Sequence, residues 1–312
     1  MRWVTSSAIA QFELNLDTWI TPLPRSGTMN SSPSLTPSRR EFLATSAAAG
    51  YALSVLPVVA QTMIVTPADD LDTGTDKVPA QDGTALAVYH AAPKKSGKSA
   101  TVLVIPEIWG AHEHIKDVAR RLAKAGYYAI VLEPYTRIGD LTKLTEIKEV
   151  LAGANKLSDE QCFSDLDTVV EWAAKQPKAD VGRLGITGFC RGGRTTWMYT
   201  AHSARIKAGV AWYGGLNPNP PAQPLTPIDI ASKLNAPVLG LYGGADQGIP
   251  QAAVDRLVAA LKASDKGKAS EMHVYPEMPH AFHADYRPSY RKEAAEDAWK
   301  RMLAWFAKNG VV

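Results

Sequence analysis

Cys190 stands between two glycines in Gly188-Phe189-Cys190-Arg191-Gly192, directly after the apolar run at 184–187. The pattern reads as a short strand, a sharp turn bearing one thiol, and a helix starting near Gly193. Such a turn brings backbone segments so close together that a Cβ at either glycine would collide. It holds one side chain above the carboxyl end of a strand, with helix N–H groups aimed at whatever that side chain attacks. A thiol in this place points to covalent acyl chemistry. A buried structural cysteine beside a glycine-rich turn is the plainer alternative.

Two further segments place reactive side chains just past apolar runs. Residues 238–242 lead into Gly243-Gly244-Ala245-Asp246, and residues 271–275 lead into Pro276-Glu277-Met278-Pro279-His280. The chain order is nucleophile, acid, base. In that division Cys190 attacks an acyl carbon, His280 handles the proton, and Asp246 sets the imidazole tautomer and steadies the imidazolium. His283, three residues on, is the rival base. A fourth run, 101–105, leads into Ile105-Pro106-Glu107-Ile108-Trp109-Gly110. A loop in that position supplies backbone N–H groups, so Ile108 and Arg191 are the expected oxyanion-hole donors. Glu107 is then expected near Cys190, where a carboxylate disfavours a thiolate unless the proton is shared.

The elements that must carry these groups alternate. Strands are expected at 85–90, 101–105, 128–132, 183–187, 206–212, 238–242 and 271–275. Helices are expected at 113–125, 142–151, 159–175, from the elbow to 200, at 250–261 and at 288–308. Continuous apolar strands separated by helices require a mostly parallel, doubly wound sheet with helices on both faces, an α/β fold with its chemistry at the strands' carboxyl ends. The proline-rich stretch 217–227 is a surface loop near the site mouth. The domain is expected over 76–312, after a linker at 61–75.

Composition narrows the classes. The 312 residues are 46% hydrophobic and 21% charged, enough for a large core and too apolar for a disordered chain. Net charge is +3 with no long basic run, so nothing points to nucleic acid. Two cysteines, Cys162 and Cys190, make neither a disulfide scaffold nor a zinc site, and pairing them would remove the nucleophile. The His112-Glu113-His114 cluster is too tight for a metalloprotease spacing and reads as a solvated helix start. Cys162 reads as half-buried packing at another helix start. No cofactor motif and no metal site are expected.

Ser38-Arg39-Arg40-Glu41-Phe42-Leu43 is a twin-arginine signature, followed by an uncharged Ala- and Ser-rich stretch to Ala60. Val58-Val59-Ala60 offers small residues for cleavage before Gln61, so residues 1–60 are expected to form an N-terminal extension and export signal. The expected partner is the twin-arginine export machinery and the expected location the periplasm. A membrane anchor is the competing reading, but the stretch is weakly hydrophobic and contains Pro57, so no stable span is expected. Residues 1–28 precede the arginine pair unusually far, which makes Met29 the expected start.

Over about residues 80–308 the sequence resembles the dienelactone hydrolase (carboxymethylenebutenolidase-like) family of α/β-hydrolases. The carriers are Pro106-Glu107-Ile108-Trp109-Gly110, Glu133-Pro134-Tyr135, Gly188-Phe189-Cys190-Arg191-Gly192-Gly193, Tyr242-Gly243-Gly244-Ala245-Asp246 and His280-Ala281-Phe282. The resemblance implies an α/β-hydrolase fold, a Cys190–Asp246–His280 triad, and Glu107 as the group that protects the resting thiol and takes its proton when substrate binds. It implies hydrolysis of small lactones or carboxylic esters through an acyl-enzyme. Thioesterase or general carboxylesterase activity on the same triad is the alternative, and a non-catalytic exported binding protein a third reading. Family members acting on dienelactone hold the substrate carboxylate with arginines, one of them four residues after the histidine. Here that place is Ala284, which leaves Arg137 and Arg287 as candidate clamps and Trp109 and Tyr135 as candidate pocket walls.

Overall fold

The computed structural model describes residues 63–95, 97–217 and 221–312. The export signal and the proposed start at Met29 lie outside the described residues. Eight strands form one sheet: β1 (Leu71–Pro79), β2 (Ala85–Pro93), β3 (Ser99–Ile105), β4 (Tyr128–Leu132), β5 (Ala179–Phe189), β6 (Ile206–Trp212), β7 (Val238–Gly243) and β8 (Glu271–Tyr275). Their order is β1-β2-β4-β3-β5-β6-β7-β8. The β1–β2 and β2–β4 pairs are antiparallel, and every later pair is parallel. Among the described residues six α-helices cover it: α1 (Glu113–Lys124), α2 (Ile147–Ala154), α3 (Asp159–Ala173), α4 (Arg191–His202), α5 (Gln251–Lys262) and α6 (Lys292–Lys308). Among the described residues no helix is long and apolar enough to cross a membrane.

The continuous apolar run 102–105 of β3 follows from burial on both faces. Side chains alternate across a strand, so Val102 and Val104 enter one core with Ile115, Val118 and Leu122 of α1 and Met302 and Phe306 of α6. Leu103 and Ile105 enter the other, with Leu166, Val169 and Val170 of α3. Burying each such side chain contributes about 1.5–3 kcal/mol, so a charged substitution at any of these four positions would be strongly destabilising.

Three expectations about elements change. Residues 71–75, expected as linker, belong to β1; this edge strand is buried only at Leu71 and Val78, so its sequence lacks an apolar run. The segment expected as one helix at 142–151 divides into a single 3₁₀ turn, Leu141–Lys143, and α2. Asp140 causes the division by accepting the Thr142 N–H at 3.1 Å and closing the short turn. The last helix starts at Lys292 rather than 288, leaving 281–291 as a loop whose residues 281–287 are buried.

Candidate active site

The elbow forms because its glycines leave no room for anything larger. A Cβ on Gly188 would lie 2.2 Å from the Gly192 carbonyl oxygen, and one on Gly192 would lie 2.2 Å from the Ile105 oxygen. The second contact draws the turn against the end of β3, where the Glu107–Gly110 loop begins. Cys190 takes φ 55° and ψ −113°, and α4 begins at the next residue rather than at Gly193. A non-glycine residue held there stores about 1–3 kcal/mol of strain, which the surrounding sheet must over-determine. The Cys190 N–H donates to the Trp212 carbonyl at 3.0 Å, locking the turn to β6.

Asp246 and His280 meet at the same edge of the sheet. His280 Nδ1 lies 2.6 Å from Asp246 Oδ2, while Asp246 Oδ1 accepts the Gly248 N–H at 2.8 Å. Both side chains are buried. A Cβ on Gly243 would stand 2.1 Å from the Met278 oxygen, so this glycine permits the Asp246 turn and the loop carrying His280 to touch. His280 and Cys190 line the same cavity. Burial alone would lower the His280 pKa, but the charges of Asp246 and Cys190 prevail and push it up to about 10. His283, the rival base, is sandwiched among Phe189, Trp212 and Trp299, and burial holds it well below the usual imidazole range. It packs as a neutral ring.

Glu107 is fully buried beside this group. Its Oε2 accepts from the Tyr286 hydroxyl and from Arg287 Nη2 at 3.1 Å, with His112 Nε2 at 3.5 Å. Burial raises its pKa, but Arg287, His112 and Tyr286 outweigh burial and hold the carboxyl well below its ordinary range. Glu107 is therefore a carboxylate held by Arg287. Arg287→Met should destabilise the fold by about 3–5 kcal/mol, because it leaves that charge buried and unpaired. The pair's contribution is present above the ordinary carboxyl range and fades as pH falls toward the lowered value. A denaturant midpoint unchanged from wild type at pH 7 would contradict this.

A cavity of about 160 Å³ opens over the thiol, lined by Cys190, His280, Ile108, Arg191, Arg194 and Leu216 among others. Ile108 and Arg191, the expected oxyanion donors, thus flank Cys190. Trp109 and Tyr135 are buried outside that lining, with Tyr135 close enough to Cys190 to feel its charge. Arg137 is held by Asp82 at 3.0 Å and by Asp165, and Arg287 by Glu107, so neither candidate clamp lines the cavity. The larger hollow between β1 and α3, about 810 Å³, contains none of these groups.

Four features escaped the sequence reading. The Arg191 guanidinium reaches Gln223 Oε1 at 2.5 Å and Asn155 Oδ1, both neutral, whereas Arg194 is held bidentately by Asp159 at 2.6 and 2.7 Å. Glu133 accepts the Ala111 N–H at 2.6 Å and the Tyr135 N–H at 2.9 Å, pinning the loop that carries Ile108. His112 and His114 are buried, not solvated: His114 Nδ1 lies 3.1 Å from Asp285 Oδ1, and only Glu113 of that cluster faces outward. Cys162 is more deeply buried than expected, and burial with Asp159 and Asp165 pushes its thiol up to about 12. Both cysteines are free.

The model of the dienelactone hydrolase family matches residues 86–310, which include Cys190, Asp246, His280, Glu107, Ile108 and Arg191. The chain belongs to the dienelactone hydrolase family. It is 54% identical over 276 residues to a Methylorubrum extorquens protein named "Putative carboxymethylenebutenolidase", covering 88% of this chain and 94% of that one. An Escherichia coli protein of the same name is 48% identical over 271 residues, covering 86% and 98%. The crystal structure of a "Putative Dienelactone Hydrolase" from Klebsiella pneumoniae superposes with a TM-score of 0.73 at 48% identity, covering 76% of this chain and 98% of that chain. The sheet is accordingly that of an α/β-hydrolase, and the protein is a hydrolase of the dienelactone hydrolase type.

Proposed function

We propose that this hydrolase opens small lactones and carboxylic esters through a thioester on Cys190. The observation that carries the reading is the buried chain Cys190–His280–Asp246 at a cavity whose other wall presents Ile108 and Arg191. The Cys190 thiol passes its proton to His280 and its sulfur attacks the acyl carbon, and the carbonyl oxygen gathers negative charge between the Ile108 and Arg191 N–H groups. The C–O bond breaks, and protonated His280 gives its proton to the departing oxygen. Neutral His280 then takes a proton from water, which attacks the thioester and releases the acid and the thiol. Glu107, ionised and held by Arg287, contributes a fixed negative charge rather than a proton acceptor. Mass spectrometry of enzyme quenched during turnover should show the acyl mass on the Cys190 peptide. An unmodified Cys190 under conditions where product accumulates would count against it.

The cavity's charge favours substrates that carry a carboxylate. Arg191 and Arg194 occupy the first turn of α4, the positive end of its dipole, and that turn contains no acidic residue. Arg194 has Asp159 as counterion, while the partners of Arg191 are neutral. Arg191→Met should therefore raise KM for a carboxylate-bearing lactone by about 10- to 100-fold and leave a neutral aryl ester nearly unchanged. Equal effects on both substrates would overturn this specificity. The twin-arginine signature at Arg39 and Arg40 supports export of the enzyme to the periplasm, tested by cell fractionation of wild type against Arg39→Lys/Arg40→Lys.

A further inference from the structure

Tyr213 follows the last residue of β6 and is held in a left-handed conformation, φ 37°. Aromatic residues rarely adopt it, and the flanking bonds enforce it: the Tyr213 N–H donates to the Leu241 carbonyl at 2.8 Å, and the preceding Trp212 carbonyl accepts from Cys190. The ring is fully buried, edge-on to His280 at 5.0 Å between centroids and to Phe282 at 5.6 Å. Its hydroxyl is enclosed and has no hydrogen-bond partner among the described residues. An unpartnered buried hydroxyl costs about 1–3 kcal/mol, and phenylalanine would fill the same space without that cost. Burial first, then the nearby charges of Glu107 and Cys190, keep the phenol protonated, so it is a donor.

We propose that Tyr213 is a catalytic residue whose hydroxyl donates a hydrogen bond to the Cys190 sulfur while that sulfur carries negative charge. The proton stays on oxygen throughout; the bond stabilises the thiolate before attack and after the acyl group leaves. The role rests on Cys190 being the nucleophile. It gives a reason for retaining a strained, unpartnered tyrosine: the partner is an anion that exists only in part of the cycle. The other groups that feel the Cys190 charge, namely His280, Arg287 and Tyr135, come from separate segments.

The test compares wild type, Tyr213→Phe and Cys190→Ala, following iodoacetamide labelling of the Cys190 peptide against pH together with ester hydrolysis. Tyr213→Phe keeps the ring against His280 and removes only the hydroxyl. Its labelling profile should move about one pH unit upward, with kcat/KM about tenfold lower at neutral pH and thermal stability equal or higher. A profile and kcat/KM superimposable on wild type would overturn the role of Tyr213. Unchanged hydrolysis in Cys190→Ala would instead overturn the nucleophile assignment, so the two failures are distinguishable. A packing role predicts the opposite pattern, namely lowered thermal stability with an unmoved labelling profile.

Discussion

Cys190→Ala is expected to lower kcat for lactone or activated-ester hydrolysis by about 10⁴-fold or more while the protein remains folded. The effect is large because the proposed mechanism makes the thiol the atom that forms the covalent bond, and the cavity's lining among the described residues holds no second thiol or hydroxyl beside His280. The fold should survive because alanine at φ 55° carries much the same backbone strain as cysteine. Cys190→Gly is the informative companion. It should be equally inactive yet more stable than Cys190→Ala by about 1 kcal/mol, since glycine adopts positive φ without strain. Thermal melts and kcat on the same preparations check both. If Cys190→Gly proved no more stable than Cys190→Ala, the strain at the elbow would not be stored as argued.

Asp246→Asn should cost about 10⁴-fold in kcat and also change the shape of the pH profile. Asp246 Oδ2 receives the Nδ1 side of His280, so the carboxylate sets which ring nitrogen faces the thiol. Its charge is also among the causes that push His280 up to about 10. In wild type His280 keeps its proton as pH rises until about 10, and the alkaline limb of kcat/KM should fall there. Without the carboxylate, burial lowers the imidazole pKa, so the limb of Asp246→Asn must move to lower pH. A limb unmoved in the variant would show that His280 is not the group whose proton is lost.

The placement of Cys190, Asp246 and His280 at strand ends was legible because each occupies a locally encoded turn. Gly188 and Gly192 announce a crowded elbow, Gly243 and Gly244 a tight turn before Asp246, and β-branched runs announce the strands that end there. Edge strand β1 was not legible, because only Leu71 and Val78 of its nine residues are buried. The 281–291 loop was not either: its partners lie at great sequence distance, Arg287 reaching Glu107 across 180 residues.

The sequence by itself determined which atoms are available for chemistry, their order along the chain, and the parallel sheet that brings strand ends together. These follow from side-chain type, glycine placement and hydrophobic period, all local properties. Only the tertiary structure decided that Asp246 takes His280 and leaves His283 as a packed ring, and that Glu107 is a carboxylate held by Arg287. It alone turned Arg191 rather than Arg137 toward the cavity and buried Tyr213 beside His280. A charge or proton is assigned by what surrounds it, and those surroundings are assembled from segments that share no neighbourhood in the sequence.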